Sequence, residues 1–141
     1  MAEYSLRYPS VSDSEERMLD DLDKIVCENE IEAATAQPLK LAVSEAFTNA
    51  LIHGNRQDCR KLIRIDLRVN ECEVTADIAD QGHGGLKQVL NRRPPAPLAE
   101  NGRGIDLIRH TTTAATFWEN ESGGLVVSIR LKRNVKSGVN G

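Results

Sequence analysis

Apolar residues recur at helical spacing through the first third of the chain and at alternate positions through much of the rest. Tyr4 to Pro9 alternates weakly and predicts a short edge strand. Met18, Leu22, Ile25 and Val26 follow at helical spacing, which predicts an amphipathic helix to about Glu30. Ser12 with Glu15 three residues on fits a capping box, in which each side chain satisfies an orphan backbone N–H. A second helix is expected to open near Pro38, a residue tolerated in a first turn. Its stripe is Leu39, Ala42, Val43, Ala46, Phe47, Ala50 and Leu51, and Gly54 or Asn55 closes it with left-handed geometry. From Ile63 the period drops to two. Ile63, Ile65, Leu67 and Val69 point one way, a turn at Asn70 and Glu71 follows, and Val74, Ala76 and Ile78 continue the alternation as a hairpin with one buried face. A short helical piece is expected around Leu86 to Leu90, then a surface loop from Arg92 to Glu100 punctuated by Pro94, Pro95 and Pro97. Gly102 and Gly104 introduce a helix holding Ile105, Leu107 and Ile108, and two strands, about Ala114 to Glu119 and Leu125 to Lys132, flank a Ser122-Gly123-Gly124 turn. Helices first and between hairpins predict an α/β (α+β) two-layer sandwich, a mainly antiparallel mixed sheet covered on one face by helices.

Composition narrows the function classes. The 141 residues suit one domain, expected over 1–133, with a polar tail over 134–141. A net charge of −3 and only five aromatic residues argue against a general nucleic-acid binder or a base-stacking platform. No apolar run approaches the roughly 18 residues that span a bilayer, and the first residues lack the apolar core of a signal peptide. Cys27, Cys59 and Cys72, odd in number and widely spaced, read as reduced, partly buried thiols of a cytosolic protein. Charge is unevenly spread: residues 1–40 hold ten acids and four bases, residues 101–141 three acids and six bases. The acidic first helix is a solvated face or a partner surface.

Three constellations carry candidate chemistry. Glu45, Asn49 and His53 recur at i, i+4 and form a polar line beside the apolar stripe of the second helix, either a solvated face or the wall of a ligand pocket. Asp80 ends a strand and is followed by Gly82, Gly84 and Gly85. This is a simple turn or a carboxylate fixed to accept hydrogen bonds from an amino-bearing ring, with glycines letting a flat ligand approach the backbone. Gly102-Arg103-Gly104 opens a helix, either as an ordinary start or as a phosphate site built from free N–H groups and Arg103. Neither a Walker loop nor a dinucleotide fingerprint is present.

The succession of ExxxNAxxH on a helix (Glu45, Asn49, Ala50, His53), DxGxG after a hairpin (Asp80, Gly82, Gly84) and Gly102-Arg103-Gly104 resembles the GHKL, or Bergerat-fold, ATPases. The run from Ser44 to Gly54 and the run from Gly102 to Ile108 look like one branch of them, the anti-sigma factor serine/threonine kinases of the RsbW type. The resemblance implies ATP and Mg²⁺ as ligands. Asn49 would coordinate the metal, Glu45 would be the general base, and Asp80 would hold the adenine amino group beside Gly82 and Gly84. Gly102, Arg103 and Gly104 would lie near the phosphates in a short lid, while His53 matches the motif without an assigned role. The resemblance also implies a sigma factor and an anti-anti-sigma antagonist of the STAS type as partners, and a homodimer. A non-catalytic module that sequesters a partner is the alternative. A histidine kinase is disfavoured, because no His stands upstream of the second helix. The chain departs from the family where Gly124 is followed by Leu125, Val126 and Val127 instead of threonines, leaving Ser128 as the nearby hydroxyl.

Overall fold

Alternation builds the sheet. The computed structural model describes residues 1–91, 108 and 111–133. Strands β1 (Ala2–Pro9), β2 (Leu62–Val69), β3 (Glu73–Ala79), β4 (Ala114–Glu119) and β5 (Leu125–Lys132) lie in the order β1-β2-β3-β5-β4. The four pairings are all antiparallel, so the mixed sheet expected from the sequence is not seen among the described residues. The register sets Tyr8 opposite Ile63, Ile65 opposite Ile78 and Ala76 opposite Ile129, which gathers the apolar side chains on one face. Helices α1 (Asp13–Glu28) and α2 (Ala33–Asn49) cover that face, and α3 (Gly85–Asn91) follows β3. The predicted α2 stripe from Leu39 to Leu51 is buried throughout. Tyr8 joins the layers: its ring meets Phe47 edge-on at 5.9 Å and its hydroxyl donates to Asp21 Oδ2 at 2.6 Å. Burial and the Asp21 carboxylate together push the Tyr8 phenol well above its usual range.

Four local expectations are corrected. Ser12 sits in helical geometry (φ −60°, ψ −33°) and makes no side-chain cap, since a cap needs an extended backbone there. The first N–H groups bond instead within a turn, Ser14 to the Val11 carbonyl and Glu15 to the Ser12 carbonyl, and Glu15 Oε1 accepts from Ser44 Oγ at 3.3 Å. α1 ends at Glu28, close to the expected boundary near Glu30, where the chain turns left-handed (φ 49°). α2 begins at Ala33, a turn before Pro38. Its first N–H groups bond the Glu32 carbonyl, and buried Thr35 and Ala36 pack that extra turn into the core. Pro38 falls in the second turn, where its ring nitrogen denies the Ala34 carbonyl one helical donor. Past Asn49 the helix widens into a π-turn over Ala50–Gly54, and Asn55 remains right-handed at φ −84°. Left-handed geometry comes one residue later, at Arg56 (φ 51°) and Gln57 (φ 57°). The three cysteines are free as expected but exposed, not partly buried.

Candidate functional site

Asp80 follows the last residue of β3 and is only 4% exposed. Its Oδ1 accepts the Gly82 N–H at 2.9 Å and the Leu125 N–H at 3.0 Å, while its own N–H donates to the Leu125 carbonyl at 3.0 Å. Burial pushes its carboxyl pKa up, opposed by the two N–H donors and by the positive fields of Lys61 and His83. A desolvated carboxylate with one oxygen saturated is a preorganised acceptor.

The loop after Asp80 lies against the end of the α2 π-turn with almost no space between them. A Cβ on Gly54 would collide with the Asp80 carboxylate, and one on Gly82 would collide with the Gly54 carbonyl. The two glycines thus allow a backbone contact that no other residue permits. Gly84, at φ +75°, faces open space.

Glu45 and Asn49 lie one turn apart on α2 and are half-buried. The Asn49 Nδ2 is buried without a hydrogen-bond partner, a costly arrangement for an amide unless a ligand supplies one. His53 is exposed. It falls inside the π-turn, past the α-helical part of α2 that carries the half-buried Glu45 and Asn49. Gly102, Arg103 and Gly104, the proline loop and the residues 134–141 lie outside the described residues.

Ser128 does not serve as the nearby hydroxyl. It belongs to the open face of the sheet, where its Oγ donates to Asp77 Oδ1 at 2.6 Å. β5 approaches Asp80 only through the backbone of Leu125. Asn55 and Gln81 were not among the candidate residues. Asn55 is 1% exposed and its Oδ1 accepts the Gln81 N–H at 2.6 Å. Its sequence signal, an Asn after a helix-ending Gly, reads equally well as a plain helix stop. Among the described residues, no three His, Cys, Asp or Glu side chains are grouped to hold a metal ion. No helix there is long and apolar enough to cross a membrane.

Residues 10–131 match the model of the histidine kinase-like ATPase domain, and the chain belongs to that family, one whose fold implies ATP binding. Its curated relatives narrow the branch. Over 107 residues it is 36% identical to the anti-sigma F factor of Clostridium beijerinckii, covering 70% of this chain and 72% of that protein. Over 101 residues it is 28% identical to the anti-sigma F factor of Clostridium perfringens, covering 68% and 71%. Among solved structures, the RsbU and RsbW domains of Rv1364c from Mycobacterium tuberculosis superpose with a TM-score of 0.70 at 14% identity. That match covers 96% of this chain and 34% of the other, so this chain spans about a third of that protein, and the likeness is one of fold.

Proposed function

We propose that this protein is a cytoplasmic anti-sigma regulatory factor. In this reading it sequesters a sigma factor, acts as a homodimer, and uses ATP to phosphorylate a serine or threonine on an anti-anti-sigma antagonist of the STAS type. The contact that locks the Asp80 loop onto the end of the helix bearing Glu45 and Asn49 carries the reading, because it fixes a base-recognising carboxylate relative to a catalytic pair. The family match and the anti-sigma names of the relatives support it.

The roles are those the family resemblance implies, and the chemistry of each group suits them. Asp80 accepts the adenine amino N–H, with Gly82 and Gly84 beside the ring. Gly102, Arg103 and Gly104 bind phosphate through N–H groups and the guanidinium. The orphaned amide of Asn49 fits the phosphate end of the site: its N–H lacks an acceptor, and a half-turn of the amide presents oxygen, a hard ligand suited to Mg²⁺. Bound Mg²⁺ supplies neutralisation of the phosphate charge. Glu45 takes the proton from the acceptor hydroxyl as its oxygen attacks the γ-phosphorus. The new P–O bond forms as the bond to the β-phosphate oxygen breaks, and ADP leaves with that oxygen.

A second reading, a partner-sequestering module without transfer, is favoured by one observation: Ser128 is bound to Asp77 on the far face, so no β5 hydroxyl supports Asp80. Incubation with Mg-ATP and a candidate STAS-type antagonist separates the two. Phosphoserine or phosphothreonine on the antagonist is expected, and its absence removes the kinase claim. Titration calorimetry with Mg-ADP then decides whether nucleotide binding survives without transfer.

A further inference from the structure

We propose that Asn55 is a positioning residue that sets the placement of the Asp80 loop relative to the Asn49 end of α2, an inference resting on the nucleotide reading above. Asn55, Leu62 and Gln81 close a ring of hydrogen bonds that brings together positions up to 26 apart in sequence. Asn55 Nδ2 donates to the Leu62 carbonyl at 3.0 Å, the Leu62 N–H donates to Gln81 Oε1 at 2.6 Å, and the Gln81 N–H donates back to Asn55 Oδ1 at 2.6 Å. The second Nδ2 hydrogen goes to Ser10 Oγ at 2.7 Å, and Ser10 in turn donates through both N–H and Oγ to the Lys61 carbonyl. The Asn55 N–H closes the π-turn on the Ala50 carbonyl at 2.7 Å.

One buried amide thereby joins the π-turn that follows Asn49, the residue after β1, the first residue of β2, and the residue after Asp80. Both of its N–H donors are used, which no other side chain of this size can match at that point. Asp80 itself is held by Gly82 and Leu125, groups Asn55 does not touch. Asn55 therefore leaves the base-recognising carboxylate formed and governs where it stands with respect to α2. A ligand engaging both ends of the site reads that distance, and a ligand engaging only the Asp80 end does not.

The test compares Mg-ADP with adenosine by titration calorimetry on the full chain, alongside thermal melting, for the wild type, Asn55→Ala and Asn55→Asp. Asn55→Ala is expected to weaken Mg-ADP about tenfold, as loss of groups that orient a site commonly does, with adenosine affinity changed far less. Asn55→Asp retains the acceptor for Gln81 and loses both donors, so it is expected to fall between. A residue with a merely structural role lowers the melting temperature and leaves the ratio of the two affinities unchanged, and that result in a folded variant overturns the proposal. Should Asn55→Ala fail to fold, Ser10→Ala removes one anchor of the same amide and is expected to shift the ratio about threefold, the scale of one hydrogen bond. An unchanged ratio there overturns it equally. A wild type that binds neither ligand overturns the nucleotide reading itself, which is a different failure.

Discussion

The Asp80 carboxylate is charged at a cost. Its folded pKa lies above that of an unfolded Asp, about 3.9, because burial outweighs the Gly82 and Leu125 donors. The folded state therefore binds the proton more tightly than the unfolded chain, and stability falls as pH rises through the folded pKa. Asp80→Asn retains an oxygen for both N–H groups and has no charge to desolvate. The ligand-free variant is expected to melt at the wild-type temperature or above at pH 7, the gap closing as pH falls toward about 4. A lower melting temperature would show that the donors favour the charge by more than burial opposes it. The same variant is expected to lose Mg-ADP binding in calorimetry, since an amide in that place presents the adenine amino group with a competing donor. Glu45→Ala, by contrast, should bind Mg-ADP normally and lose phosphate transfer, reducing the rate by about a hundredfold or more if it removes the general base. Equal losses of binding in the two variants would refute the division of roles.

At the scale of the element, α2 and its π-turn decide the site. Gly54→Ala places a methyl against the Asp80 carboxylate and is expected to destabilise the fold by about 2 kcal/mol, in the range for overpacking. Urea denaturation of Gly54→Ala in an Asp80→Ala background tests the cause. The cost should shrink there, and simple additivity would place the strain elsewhere. Much of this element was legible in the sequence: the stripe from Leu39 to Leu51 is the buried face, and Glu45 and Asn49 flank it. β4 and β5 run from Ala114 to Glu119 and from Leu125 to Lys132 as the sequence predicts, because the Ser122-Gly123-Gly124 turn marks where one ends and the other begins. The extra first turn of α2 is not legible because Ala33 to Ala36 carry no cap signal, and what packs the turn is the burial of Thr35 and Ala36 alone. The π-turn left no mark either, since Ala50 and Leu51 suit the stripe at either pitch. Asn55 was hidden by a sufficient local explanation. A helix stop accounts for the residue, while its partners Ser10 and Gln81 stand 45 and 26 positions away.

Across the whole molecule, the contrast between an acidic start and a basic end has at least one structural counterpart in Arg133. This residue follows β5, and its side chain is 10% exposed. Nε and Nη2 donate to Glu32 Oε1 at 3.1 and 3.0 Å, Nη1 donates to the Asn70 carbonyl at 2.9 Å and Nη2 to the Glu30 carbonyl at 3.2 Å. One guanidinium thus fastens the end of the sheet to the α1–α2 connection and to the β2–β3 turn. Burial would raise the Glu32 carboxyl pKa, but its own backbone N–H, Thr35 and Arg133 overcome that and hold it below the ordinary range. For a carboxyl with a depressed folded pKa, the stabilisation is present above the unfolded value of about 4.3 and is lost as pH falls through the folded one. Arg133→Ala is therefore expected to cost about 2 kcal/mol at pH 7 in urea denaturation, between an exposed pair and a fully buried one. Its bonds to the two carbonyls do not titrate. The difference between wild type and variant should accordingly narrow on acidification below about pH 4 without vanishing. A difference constant with pH would assign the whole effect to the carbonyls, and no difference at pH 7 would mean that the connection into α2 is held by packing alone.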